Sequence, residues 1–199
     1  MDPRHPSQTL HDIWCLLVKG AAMPRSSLHR FTLATLSSDG PQARTVILRE
    51  AHSVPRTVVF HYDGRSPKHA ELLADPRVTA LFYGETERLQ LRLRGRVELH
   101  LGDGIARGSW EKLGGFSRRT YLSASIPGTT LTAPDPGFPP VYQERAPTLE
   151  EAEPAFNHFV HAAILVETID AYQLGAGDAW RMRFTAAADG AWDHQWVAP

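Results

Sequence analysis

Several shortages narrow the reading of this chain before any pattern is sought. It has a single cysteine, Cys15, so it holds neither a disulfide framework nor a thiolate metal cluster; an intracellular, reducing setting is expected. No apolar run approaches the ~20 residues needed to span a bilayer, and the opening MDPRHPSQTL lacks the basic-then-apolar pattern of a secretory leader. A cytoplasmic location without membrane attachment is therefore expected. Charge of one sign is not in excess: 21 Lys+Arg stand against 22 Asp+Glu, a formal net charge of −1. The broad basic field that wraps nucleic acid is missing, and nucleic acid is not an expected partner. Lysine itself is scarce. Lys19, Lys68 and Lys112 are the only three, so arginine supplies the rest of the 21, with a planar fork suited to phosphate and carboxylate. The glycine-rich dinucleotide loop, the P-loop and the Gly-x-Ser-x-Gly elbow are all absent.

What is present reads as one domain over 1–199, a length that fits a single core. Residues 7–22 carry Leu10, Ile13, Trp14, Leu17 and Ala21 at helical spacing, with Ser7 as the expected N-cap. Short β-prone runs follow at 31–36, 43–49 and 57–62, the first two separated by Ser38-Asp39-Gly40-Pro41. Ser66-Pro67 opens a helix over 68–74. Another strand is expected at 77–83. The clearest period lies at 89–99, where Leu89, Leu91, Leu93, Val97 and Leu99 alternate with Gln90, Arg92, Arg94, Arg96 and Glu98. That is a long half-buried strand, of a length that suits a barrel wall. Helices are expected at 103–113 and 117–125, a Pro-rich loop at 126–147, and a capping box from Thr148 to Glu151. The last strands are expected at 162–169, 180–185 and 192–197. About seven or eight strands with links too short for βαβ crossovers predict a mainly β (α+β) fold, an antiparallel barrel with peripheral helices.

Two basic segments stand out. Arg44 and Arg49 bracket one strand and, five apart, point to opposite faces if that strand is regular. The run Phe60–Lys68 passes from strand through turn to a helix N-terminus, where backbone N–H groups favour an anion and Ser66 and Lys68 add a hydroxyl and an ammonium. Gln90, on the polar face of the long strand, can both donate to and accept from a planar heterocycle. His158 and His161 are three apart, but no His-Glu-x-x-His pattern exists and no metal is expected.

In order and spacing, Arg44–Arg49, Phe60–Lys68, Asp75-Pro76-Arg77-Val78 and Leu89–Gly95 resemble the pyridoxamine 5′-phosphate oxidase superfamily, the FMN-binding split β-barrels. Trp180–Phe184 and Trp192–Pro199 resemble the end of that family. The resemblance implies FMN as cofactor and a homodimer. It implies that Arg44 meets the FMN phosphate, that Thr45, Val46 and Ile47 run along the isoalloxazine, and that Tyr62 and Asp63 lie beside the ribityl and phosphate. Ser66 and Lys68 match the phosphate turn, Gln90 the glutamine near the ring, and Arg183 a late arginine near the flavin. The departures are specific. Arg49 stands for the family's lysine and Pro67 for the arginine of Ser-Arg-Lys. Ala179 and Arg181 replace the arginine and histidine of the substrate motif, and the segment around Trp110, Gly114 and Arg118 lacks the substrate-phosphate residues.

The expected activity is therefore an FMN-dependent oxidoreductase, related to the oxidase but with its substrate residues unmatched. Arg49, Arg118, Arg119 and Arg181 are the candidates to receive a small, anionic substrate. No catalytic general base is legible. The alternative is a flavin- or haem-binding carrier or sensor without turnover, since a fold does not fix an activity.

Overall fold

The computed structural model describes residues 4–175 and 178–199; residues 1–3, 176 and 177 of the expected domain lie outside them. The chain divides into two compact units, the first made of Met1–Phe60, Ala74–Glu98 and Ala163–Pro199, the second of His61–Leu73 and Leu99–Ala162.

The first unit carries most of the sheet. The strands of the sheet are β1 (Arg30–Ser37), β2 (Gly40–Ile47), β3 (Glu50–Ser53), β4 (Arg56–Asp63), β5 (Arg77–Gly84), β6 (Leu89–Leu101), β7 (Phe159–Gln173), β8 (Trp180–Ala186) and β9 (Trp192–Trp196). They join in the order β2-β1-β5-β6-β7-β4-β3, with β8 on β7 and β9 on β8, and this path does not close. The pairs whose register is defined, such as β1 with β2 and β5 with β6, are antiparallel. The period-two pattern of β6 holds: Leu89, Leu91, Leu93 and Val97 are buried, while Arg94, Arg96 and Glu98 are exposed. Phe31 stacks on Phe82 at 4.7 Å and meets Phe60 edge-on at 6.0 Å in the core beneath. Gly95 takes a buried position of this series because β7 passes too close for a side chain. A Cβ there would lie 2.0 Å from the Leu165 carbonyl oxygen.

Three expectations need correction. The first helix, α1 (Pro6–Ala22), has His5 at its N-cap and Pro6 at its first position; the fixed φ of proline starts the helix before Ser7 can cap it. Residues 44–49 are not one regular strand. β2 ends at Ile47, the Leu48 amide bonds to the His29 carbonyl at 2.9 Å, and the Arg49 amide turns to Val59 of β4 at 2.8 Å. The opposite-face argument for Arg44 and Arg49 therefore does not apply. The strands among the described residues number nine, because β3 is a four-residue segment with two exposed polar residues and no apolar alternation to announce it.

The second unit holds α2 (Pro67–Ala74), α3 (Gly104–Lys112), α4 (Gly115–Arg118) and α5 (Leu149–Ala152), with 3-10 turns at Arg119–Leu122, Pro140–Tyr142 and Glu153–His158. Asp103 caps α3 by accepting from the Ala106 amide at 2.8 Å. Trp110 centres an apolar cluster in which Tyr121, Phe156 and Phe159 lie within 6.0 Å of its ring.

The Thr148–Glu151 capping box is complete, and Arg145 grips the same carboxylate with two bonds of 2.8 and 2.7 Å. The Arg145 bonds first, then the Thr148 amide, hold the Glu151 carboxyl down to about 2. That lies below the unfolded value of about 4.3, so its contribution is complete above pH 4.3 and fades as pH falls towards 2. The Thr148 amide resonance, followed by NMR, is expected to lose its hydrogen-bonded shift across that window and to stay fixed above pH 5.

Candidate functional site

In the second unit the expected phosphate turn is built from one strand end and one helix start. Tyr62 and Asp63 end β4. The Gly64 amide bonds to the His158 carbonyl at 2.7 Å, and the Ser66 amide closes the turn onto the Asp63 carbonyl at 3.0 Å. Asp63 accepts the Arg65 amide at 2.9 Å and the Arg65 guanidinium at 2.7 Å. Arg65 in turn donates to the Ser123 carbonyl at 3.0 Å. Asp63 thus fixes the turn and presents no spare negative charge towards a phosphate. The buried Ser66 hydroxyl donates back to the Asp63 carbonyl at 2.6 Å and accepts from Lys68 Nζ at 2.9 Å. Lys68 lies over the Tyr62 ring at 5.1 Å. Burial pushes the Tyr62 phenol well above its ordinary value, so it stays neutral and can donate to His69 Nδ1, 2.9 Å away. The turn brings Tyr62, Asp63, Ser66 and Lys68 together, and adds Arg65 and His69, neither of which the sequence reading assigned to the site.

In the first unit the register of β1 on β2 splits the expected flavin strand between two faces. Arg44 pairs opposite Leu33 and Val46 opposite Phe31, so both share the face of that core row. Arg44 donates to the Thr35 hydroxyl. Thr45 and Ile47 take the other face, where Thr45 lines a groove of about 470 Å³ with Arg30, Thr32, Leu81 and Tyr83. Gln90 lies directly across from Tyr83, half-buried and without a side-chain hydrogen bond among the described residues.

A charged cluster forms on β6, β7 and β8. Trp180, Met182 and Phe184 are buried, which turns Arg181 and Arg183 to the opposite face of β8. On β7 the buried series Ile164, Val166 shifts phase to Ile169, Ala171, and this shift turns Asp170 away from the core. Asp170 pairs across from Arg183. Its carboxylate accepts from Arg181 Nε at 2.8 Å, from Arg181 Nη2 at 3.0 Å and from Arg92 Nη2 at 2.7 Å, with Arg183 Nη2 at 3.6 Å. Burial acts to raise the Asp170 carboxyl, but the bonds from Arg181 and Arg92 outweigh it and hold the group below its ordinary value. The sequence offered little sign of this residue: Asp170 is one of two carboxylates, with Glu167, in the strand run 164–172.

The four arginines expected to receive a substrate have distinct surroundings. Arg118 donates to the carbonyls of Trp110 and Glu111 at 3.2 and 2.9 Å. Arg119 donates to the carbonyls of Tyr142 and Gln143 at 2.6 and 3.1 Å and lies over Phe138 at 3.9 Å, anchoring the Pro-rich loop. Arg181 is engaged by Asp170. Arg49 and Arg119 each have a buried Nε with no hydrogen-bond partner among the described residues. His161 is buried and paired with Ser109 at 2.8 Å. Among the described residues no group of three His, Cys, Asp or Glu side chains could hold a metal, and no helix is long and apolar enough to cross a membrane.

Residues 13–101 match the family described as "Pyridoxamine 5'-phosphate oxidase, FMN-binding domain". Over that stretch, less than half of the chain, the sequence is similar to that family. The chain is 41% identical over 68 residues to a pyridoxine/pyridoxamine 5′-phosphate oxidase of Bordetella petrii, a stretch covering 34% of this chain and 31% of that protein. It is 33% identical over 98 residues to the Burkholderia lata enzyme of the same name, covering 49% and 44%. The match thus spans less than half the length of either relative. Among solved structures that share the fold, a pyridoxamine 5′-phosphate oxidase-related, FMN binding protein from Nostoc punctiforme superposes with a TM-score of 0.77 at 18% identity, covering 94% of this chain and 96% of that one. PhzG from Burkholderia lata, solved in complex with tetrahydrophenazine-1-carboxylic acid, gives 0.68 at 18% identity, covering 97% and 92%.

Proposed function

We propose that this chain binds FMN as a homodimer and uses it as an oxidoreductase acting on a small anionic molecule. The observation that carries the reading is the Tyr62–Lys68 turn, which sets an ammonium and a hydroxyl 2.9 Å apart at the start of α2 within a stretch matched by an FMN-binding domain family. The donor set fits the cofactor. In the second unit Lys68 and Ser66 are the proposed phosphate donors; in the first unit Arg44 is a further proposed donor to the cofactor. Thr45, Val46 and Ile47 offer strand backbone to the ring, Gln90 its amide, and Arg183 a guanidinium. Tyr62 and Asp63 shape the strand end beside the phosphate. FMN, when bound, supplies the redox chemistry, while the protein binds, orients and tunes it.

The substrate differs from that of the oxidases named above. Arg118 donates through Nε and Nη2, and Arg119 through Nη1, to backbone carbonyls, so we read neither as preset to clamp a substrate phosphate. The same observation keeps open a flavin carrier without turnover.

Purified chain is expected to be yellow and to release FMN on denaturation. A colourless chain that takes up no added FMN would overturn the reading. With FMN loaded, oxygen consumption with pyridoxamine 5′-phosphate or pyridoxine 5′-phosphate is expected to stay at background; turnover with either would restore the oxidase assignment.

A further inference from the structure

The cluster on β6, β7 and β8 has more cations than its carboxylate can satisfy. Three guanidiniums, of Arg92, Arg181 and Arg183, surround the one carboxylate of Asp170, leaving two positive charges in excess. Their roles differ. Arg181 is the most covered of the three, with 25% of its side chain exposed, and makes two bonds to Asp170. Arg92 and Arg183 are 42% and 43% exposed. Arg92 gives Asp170 one Nη2 bond, and its Nε is buried with no hydrogen-bond partner among the described residues. Arg183 stands 3.6 Å from the carboxylate, and its side chain makes no hydrogen bond among the described residues. Like charges gathered this closely repel, and a second anion relieves the repulsion while satisfying the remaining forked donors. Arginine rather than lysine at each position favours a planar or tetrahedral oxyanion gripped by two bonds.

We propose that Arg92 and Arg183, aimed by Asp170 and buttressed by Arg181, form a binding site for the oxyanion of a small molecule. The chemistry is a carboxylate or phosphate group. Asp170 is the positioning residue: its carboxylate fixes the two outer guanidiniums without touching the ligand. The inference goes beyond the flavin reading, which draws on Arg183 alone of this set.

The test follows the arginine Nε–H resonances of the full-length chain, as purified, by NMR during titration with benzoate and, separately, with inorganic phosphate. Saturable shifts are expected at two resonances, identified by their loss in Arg92→Gln and Arg183→Gln, and each substitution is expected to weaken binding about tenfold. The probe that binds more tightly identifies the oxyanion class. Asp170→Asn separates positioning from bulk charge. It raises the cluster's net charge from two to three, so Coulomb attraction alone predicts tighter binding, whereas lost aim predicts weaker binding. Weaker binding in Asp170→Asn, recovered in part by Asp170→Glu, is the expected result. If neither probe shifts the two resonances, the site is overturned. If binding tightens in Asp170→Asn, the positioning role is overturned. Should Asp170→Asn fail to fold, the two arginine variants still decide the site. Flavin content is read separately by absorbance, so a colourless chain that binds benzoate upholds this site while overturning the flavin reading.

Discussion

Gly95→Ala is expected to destabilise the chain by roughly 3 kcal/mol or more, enough to leave it insoluble or unfolded at room temperature. The added Cβ would stand 2.0 Å from the Leu165 carbonyl oxygen and 3.1 Å from Val166 Cα. Both are backbone atoms of β7, so no rotamer change makes room. Either β6 and β7 separate, breaking ladder hydrogen bonds in the middle of the sheet, or β6 bulges and its buried leucines leave register. Gly108→Ala is the control. Gly108 lies within α3 with nothing within 4 Å of the new methyl, and the better helix propensity of alanine is expected to stabilise by about 0.5–1 kcal/mol. Urea unfolding followed by far-UV circular dichroism reads both, and a Gly95→Ala chain with an unchanged midpoint contradicts the close approach of the two strands.

The second large effect concerns the phosphate turn. Lys68→Ala is expected to weaken FMN binding by roughly 10- to 150-fold, the equivalent of about 1.5–3 kcal/mol for one hydrogen bond to a charged group. Its measure is fluorescence quenching of FMN on titration with the chain. Riboflavin, which has the ring but no phosphate, is the internal control, since its affinity is expected to be equal in wild type and variant. Equal losses for both ligands would mean that Lys68 acts on the fold of the turn, through Ser66 and the Tyr62 ring, rather than on a phosphate. No loss for FMN would remove Lys68 from the site. The fold of the variant is checked first, because Lys68 donates to the buried Ser66 hydroxyl.

Much of the architecture was legible in the residue pattern. The alternation Leu89–Val97 determines a half-buried strand whatever it pairs with. Ser66-Pro67 marks the start of α2, and Thr148 with Glu151 forms the capping box expected of it. These are local effects: strand periodicity, the fixed φ of proline, a hydroxyl three residues from a carboxylate. The misses are also local in origin. Pro6 displaces the expected cap at Ser7, and β3 is too short and too polar to carry a period. Arg49 was misread because periodicity cannot register the point at which a chain exchanges one neighbouring strand for another.

The sequence by itself determined which residues alternate, where helices begin, and that a phosphate-suited turn lies at 60–68. The tertiary structure decided what the arginines do. Arg92 and Asp170 are 78 positions apart, and Arg119 lies 23 positions from the Tyr142 carbonyl it holds. A period of two states that Arg92 leaves the core side of β6. It does not state that β7 is the neighbour, or that a phase shift between Val166 and Ile169 turns Asp170 to meet it. Strand order and register arise from the packing of the whole core, and for that reason charge placement across the sheet is a property of the fold and not of any one segment.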